Sequence, residues 1–290
     1  MDLVIRAPRF PEPGETLTGS TFQTFPGGKG ANQACAAAKL GSRVKLVAKL
    51  GSDAFGDSLM GSLTECGVIC SSIYRDTDVS TGVALITVDD SGQNTIVVSP
   101  GTNALLSAEE VDQAFGGSPG KVVLSQLEIP LETVIAAAQN AAESVFILNP
   151  APARQLPDDL VKLVDVITPN ETEAHSLTGI LPTDHASCQA AAEALLSRGA
   201  KHIIITLGGR GCYYAGPNGH RHFPAFPVQP IDTTAAGDAF SGALAMGLAR
   251  GWSMESAIQF AAVAAALSTT KMGAASSMPT FSEVEAALRV

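Results

Sequence analysis

Residues 202–214 read HIIITLGGRGCYY, and their pattern decides the architecture. Three consecutive isoleucines leave no polar face, so the run suits a strand covered by helices on both sides of a parallel sheet. The strand ends at Thr206 and Leu207, and Gly208-Gly209-Arg210-Gly211 follows before two short β-like runs. A hairpin turn accounts for one or two of these glycines. Three with an arginine also suit a backbone site for a nucleotide phosphate.

Outward from this stretch, similar apolar runs recur at 44–49, 121–125, 145–148 and 164–168. Between them lie Ala-rich helical patterns at 31–40, 54–66, 131–142, 186–198, 238–250 and 253–270. This alternation predicts an α/β fold with a doubly wound, mostly parallel sheet and helices on both faces. Two regions break the rhythm. Residues 2–25 read as extended segments around PEPGE, and 82–98 as two strands around DDSGQ. They predict a small separate β-sheet, a lid, over a core made of 26–81 and 99–290.

The 290 residues carry 46% hydrophobic and 16% charged side chains, with a net charge of −10. That composition describes a well-cored globular chain and offers no basic stripe for nucleic acid. No apolar run is long enough to span a bilayer, and no leader pattern is visible. The odd set of five cysteines shows no C-x-x-C pair, which fits buried thiols in a reducing cytoplasm.

Three further stretches could carry chemistry. FPGGKGANQACAAAKLG (25–41) brings paired glycines, Lys29 and Asn32 to the start of a helix, without the spacing of a Walker A loop or of G-x-G-x-x-G. On spacing alone, a plain turn explains it equally well. ITPNETEA (167–174) ends a strand and caps a helix with Asn170 and Glu173, at the strand end where open sheets bind ligands. DTTAAGDAFSGAL (232–244) places Ala235, Ala236 and Gly237 at a helix N-terminus, where free amides suit an anion. Asp238 follows within a turn. It is an ordinary cap, or a general base that prepares an alcohol to attack the anion.

Together these stretches resemble the ribokinase-like carbohydrate kinases, the phosphofructokinase-B family. GGKGANQACAAAKLG is similar to the family's first signature and DTTAAGDAFSGAL to its second. FPEPGETLTG, GSDAFGDSL, STGVALI, NPAPARQLP, ITPNETEA and TLGGRG extend the likeness over nearly the whole chain. The resemblance implies ATP-dependent phosphorylation of D-ribose at its 5-hydroxyl, with Asp238 as base and Ala235, Ala236 and Gly237 as the anion hole. It implies sugar contacts from Asp2, Gly28, Lys29, Asn32, Glu128 and Asp238. Nucleotide contacts would come from Asn170, Thr206, Leu207, Gly208, Gly209, Arg210, Gly211 and Gly237. Mg²⁺ would arrive with ATP. A monovalent cation, K⁺, would sit by Asp232, Thr234, Ser268, Lys271, Gly273 and Ser277, several of them through backbone carbonyls. Pairing of two lids would give a homodimer.

The sequence departs from the family pattern at its start, where Met1 directly precedes the Asp2 that matches a sugar ligand. The family's first core strand has no counterpart, so the sheet is expected to expose apolar surface and unpaired backbone groups unless chain upstream supplies that strand. Ala262 stands where relatives often carry His or Asn near the adenine. The residues leave open a kinase for another sugar or a nucleoside, and a sugar- or nucleotide-binding protein without catalysis. A dinucleotide oxidoreductase is disfavoured by the missing G-x-G-x-x-G.

Overall fold

The computed structural model describes residues 1–289. Along the chain, β1 (Asp2–Arg6) and β2 (Phe22–Phe25) precede α1 (Lys29–Lys39). A β–α–β unit follows from β3 (Lys45–Gly51), α2 (Ala54–Glu65) and β4 (Ile69–Asp76), then a hairpin of β5 (Val83–Val88) and β6 (Asn94–Ser99). Next come α3 (Ala108–Phe115), β7 (Val122–Ser125), α4 (Leu131–Asn140), β8 (Val145–Leu148), α5 (Asp158–Val161) and β9 (Val166–Ile167). The chain continues through α6 (Glu171–Thr178), α7 (His185–Ser197), β10 (His202–Thr206), β11 (Cys212–Gly216) and β12 (Gly219–Phe223). It closes with α8 (Ala236–Ala249), α9 (Met254–Ser268) and α10 (Phe281–Leu288).

The strands form three ladders. The largest has the order β12-β11-β10-β9-β8-β7, parallel from β7 to β10 and antiparallel beyond. Its side chains alternate between two cores, as a sheet covered on both faces requires. Ile203, Ile205, Phe146 and Leu148 enter one, with Val134 of α4 and Leu195 of α7. Ile204 and Ile147 enter the other, with Leu244 of α8 and Ile258 of α9. Trp252, at the turn between α8 and α9, meets Phe260 edge-on and seals that side.

Residues 2–6, 22–25, 83–88 and 94–99 build a separate four-stranded sheet in the order β2-β1-β5-β6. β3 and β4 form a parallel ladder of their own. Neither β3 nor β7 has a hydrogen-bonded neighbour on its second edge.

Candidate active site

The carboxyl ends of β8, β9 and β10 and the N-terminus of α8 converge on one cavity. Its lining includes Lys29, Asn149, Thr168, Asn170, Glu173, Thr206, Ala235, Gly237 and Asp238. Convergence at strand ends follows from the topology, because parallel strands point all their C-termini one way.

Ala235 caps α8 with φ 60° and ψ 13°, and no other non-glycine residue among those described has a positive φ. The Ala236 amide donates to the Thr233 carbonyl at 3.3 Å, and the Ala239 amide closes on Ala235 at 2.8 Å. The amides of Ala235, Gly237 and Asp238 have no partner among the described residues, so they are donors for an anion, reinforced by the helix dipole. A Cβ built on Gly237 would meet open space, so nothing crowds this helix end.

Asp238 is 5% exposed. The Asn32 amide donates to its Oδ2 at 3.0 Å and the Gln33 amide to its Oδ1 at 2.9 Å. Burial pushes its pKa above the ordinary carboxylate value, against the nearby Lys29 ammonium and these two amides. A carboxylate with a raised pKa, fixed by two neutral donors and close to free helix amides, has the attributes of a general base for an alcohol. Asn32 Oδ1 is buried without a partner, and such an acceptor calls for a donor from a ligand.

At the start of α1, Glu128 Oε2 accepts the Lys29 backbone amide at 2.8 Å. The Asp2 carboxylate lies against Gly27, where any Cβ would overlap it. Gly28 turns the chain into α1 with φ 94°. The paired glycines thus bring the start of α1 beside two acids, which a plain turn would not require. Burial raises the pKa of both Asp2 and Glu128. Three carboxylates facing one lysine suit an uncharged, hydroxyl-rich ligand, since carboxylates accept hydroxyl hydrogens.

Beyond β9 and β10, the structure brings Asn170 and Thr206 together as a parallel bridge extending the β9–β10 alignment. Asn170 and Glu173 form the expected capping box. Leu207 is buried, and Gly208–Arg210 make one tight turn whose first two residues are exposed. Arg210 is turned away, ion-paired with Glu171 and bonded to the carbonyls of Thr183 at 2.6 Å and Pro182 at 3.0 Å. Gly211 is required by the fold, because a Cβ there would strike the Phe223 carbonyl.

The loops carrying the expected cation residues are tied to each other. Asp232 Oδ1 accepts the Thr234 amide and Oδ2 the Gly273 amide, each at 2.9 Å. Its pKa falls although burial opposes this, because those hydrogen bonds outweigh it. Ser268 and Ser277 donate to the carbonyls of Ala265 and Ala274, and Lys271 pairs with Glu283 at 2.8 Å. Their side chains are thus committed elsewhere, leaving one carboxylate and backbone carbonyls as the available donors. Among the described residues no His/Cys/Asp/Glu cluster could hold a metal ion. Such a donor set fits a large monovalent cation better than a transition metal.

Sequence reasoning did not single out Gln33, Asn149 or Ser241. Gln33 bridges Asp238 and Asn149, at 3.0 Å from the latter, and accepts from Gln126. Glu173 was legible only as a cap, yet it is the one carboxylate besides Asp238 that lines the cavity. It is therefore the oxygen donor on offer to a divalent cation travelling with a polyphosphate.

Comparison with known proteins gives concordant findings. The model of the pfkB family carbohydrate kinase matches residues 1–281. A ribokinase of Haemophilus influenzae is 43% identical over 285 residues, covering 97% of this chain and 93% of its own. A deoxyribokinase of Salmonella typhi is 37% identical, covering 98% and 94%. The structure of Arabidopsis thaliana ribokinase complexed with ribose and ATP superposes with TM-score 0.92 at 32% identity, covering 100% of this chain and 96% of that one.

Proposed function

Because the chain belongs to the pfkB family of carbohydrate kinases, we propose that it transfers the γ-phosphoryl group of ATP to the 5-hydroxyl of D-ribose. The observation that carries this reading is the placement of Asp238, buried at the free N-terminus of α8 between two sets of groups. On one side stand Asn170, Thr206 and the unpartnered amides. On the other stand Asp2, Lys29, Asn32 and Glu128.

Each group has a task that follows from its chemistry. Asp2, Glu128 and Asn32 hold the sugar by its hydroxyls and turn the 5-hydroxyl toward Asp238. Asp238 Oδ takes that proton as the oxygen attacks, and Asn32 and Gln33 keep the carboxylate aimed. The free amides of α8 and the Lys29 ammonium stabilise charge building on the transferring phosphoryl oxygens. The loop 206–211 and Asn170 border the nucleotide. Mg²⁺ bound with ATP neutralises phosphate charge, and Glu173 would be its donor from the chain. K⁺ would be held by Asp232 and backbone carbonyls of the 232–234 and 268–277 loops, the first of which leads directly into α8. Replacing K⁺ with a bulky organic cation is expected to lower turnover several-fold.

The four-stranded sheet is read as a lid whose outer face pairs two copies. Strand register puts Ile5, Phe22, Leu85 and Val97 on one face, and they are 40–67% exposed. A contiguous apolar face of this kind suits a homodimer interface.

The decisive assay supplies ATP, Mg²⁺ and K⁺ with D-ribose, 2-deoxy-D-ribose, fructose and adenosine, and follows ADP and the phosphorylated carbon. Ribose 5-phosphate as the main product is expected. Faster turnover of 2-deoxyribose, the substrate named for one relative, would replace the substrate assignment. Ribose binding without ADP release would leave only a binding protein.

A further inference from the structure

Three of the cysteines meet at one place away from the cavity described above. Cys35 of α1, Cys66 at the end of α2 and Cys70 of β4 pack with Ala34, Leu63 and Val68 in one small apolar cluster. Cys35 is 1% exposed, whereas Cys66 is half-buried and flanked by the exposed Glu65 and Gly67. The Cys35 thiol donates a hydrogen bond to the Cys66 sulfur. Cys70 has another partner, the Val68 carbonyl, to which its thiol donates at 3.3 Å. All three are free thiols, and among the described residues no cluster of cysteines could hold a metal ion. What remains is a reachable sulfur with a buried thiol aimed at it.

The two members of the pair differ in chemistry. The hydrogen bond from Cys35 brings the Cys66 pKa down to about 7, with help from the Lys39 ammonium and against burial and Glu65. The carboxyl end of α2 also opposes a thiolate there. Lys39 is held nearby by its bond to the Ala275 carbonyl at 2.7 Å. The Cys35 pKa moves up, first because its thiol donates to Cys66 and then because it is buried. The thiolate is the nucleophile in sulfur chemistry, so Cys66 is the attacking sulfur and Cys35 the resolving one. A reachable thiolate beside a second thiol is what reversible oxidation requires.

We propose that Cys35 and Cys66 are a redox-sensitive pair, which hydrogen peroxide closes into a disulfide joining α1 to α2. The Cys66 thiolate attacks one peroxide oxygen, the O–O bond breaks, and the departing hydroxide takes a proton from solvent. Cys66 is then a sulfenic acid. It no longer draws the Cys35 proton toward a thiolate, so the main cause holding Cys35 protonated is gone. The Cys35 sulfur attacks the Cys66 sulfur, the S–O bond breaks, and the leaving hydroxide carries off the Cys35 proton as water. Two thiols give up two electrons and two protons, and one peroxide becomes two waters. A disulfide holds its sulfurs about 2 Å apart, so closure draws α1 toward α2. That movement works against α8, where a Cβ on Gly242 would already strike the Gln33 carbonyl and Ala36. Asn32 and Gln33, which aim Asp238, lie within one turn of Cys35 on α1. The effect on turnover rests on the reaction proposed above, and the disulfide itself does not.

The test treats the protein with hydrogen peroxide and maps its thiols by mass spectrometry without reduction. A peptide linking Cys35 to Cys66 is expected, and it should disappear after dithiothreitol. Turnover should fall about tenfold on oxidation, within what a small misplacement of a catalytic group costs, and return on reduction. Cys66→Ser should keep the basal turnover and lose both the link and the sensitivity to peroxide, whereas Cys70→Ser should keep both. A link between Cys66 and Cys70, a link between two copies, or Cys66 carried to sulfinic acid with no link would overturn the pair. A Cys35–Cys66 link that leaves turnover unchanged would overturn its coupling to Asp238, as would a peroxide loss that persists in Cys66→Ser. The peptide map reads the disulfide whichever sugar is the acceptor, so failure of the ribose assignment is not mistaken for failure of the pair.

Discussion

Ile203, Ile204 and Ile205 of β10 have no solvent exposure, whereas Leu46, Val47 and Ala48 of β3 are only half-buried although they too lie between helices. The difference is one of neighbours. β10 is paired on both edges and β3 on one. Burial of a sheet residue thus depends on lateral pairing as much as on the helices above and below it. Under the proposed reaction the two regions would also serve different ends of it. The complete ladder positions Asn170 and Thr206, while Glu128, just beyond β7, borders a cavity between β3 and β7. On the proposed reading, the phosphate side rests on strands paired on both edges and the acceptor side on the single-edged β7.

The largest expected effect lies where the complete ladder meets α8. Asp238→Asn should lower kcat by about 10³-fold, within the range for loss of a general base, while calorimetry shows unchanged nucleotide affinity. Asparagine offers one oxygen where Asp238 offers two, so one of the two donating amides loses its acceptor. Asn32 can rotate its amide and present its unpartnered Oδ1 instead, so the variant is expected to fold. Wild-type turnover would remove Asp238 from the chemistry.

The same carboxylate sets opposite pH trends. It must be ionised to accept a proton, so turnover is lost as pH falls through its raised pKa, above the ordinary value of 3.8. Stability moves the other way. The folded state holds this proton more tightly than the unfolded state, so the contribution is fully present below the unfolded pKa and is lost as pH rises through the folded one. Near neutral pH, Asp238→Asn is therefore expected to melt above the wild type, with the difference vanishing toward pH 3. A parallel shift at every pH would show that the carboxylate titrates normally.

A paired truncation tests the comparison itself. Ile204→Ala removes a side chain with 0% exposure and should cost about 2–5 kcal/mol in denaturant unfolding. Leu46→Ala removes one that already borders a gap, so no new cavity forms and the cost should stay near 1 kcal/mol. Equal costs would mean that the β3 side is as well packed as the β10 side.

Most of this architecture was legible in the sequence because its strands are unbroken apolar runs and its signatures lie at helix starts. β4 was not, since ICSSIYRD mixes polar and small residues and draws its order from pairing with β3. α3 and α10 were missed because they are short and are fixed by the capping boxes at Ser107–Glu110 and Thr280–Glu283. Asp238, Lys29 and Asn170 could be singled out because each stands in a recognisable local pattern. Gln33 could not, because its importance comes from contacts with Asn149 and Asp238, both more than 100 residues away in the chain. The lateral pairing of β3 and β7, each hydrogen-bonded on one edge among the described residues, is likewise set by tertiary placement that no one-dimensional pattern specifies.

The smallest expected effect concerns Ala235. A left-handed conformation costs a residue with a Cβ about 1–2 kcal/mol, and Ala235 adopts it with φ 60°. Glycine removes that strain but gains freedom in the unfolded chain worth about 0.4–1 kcal/mol. Ala235→Gly should therefore leave stability within about 1 kcal/mol of the wild type, with any change toward greater stability. Its effect on turnover reports what the strain does. The methyl group restricts the loop that carries the unpartnered amides, so a glycine that loosens them should lower kcat by less than tenfold and leave KM for the sugar unchanged. If KM rises instead, the loop shapes the acceptor side, and the division of labour between the two regions fails at residue 235.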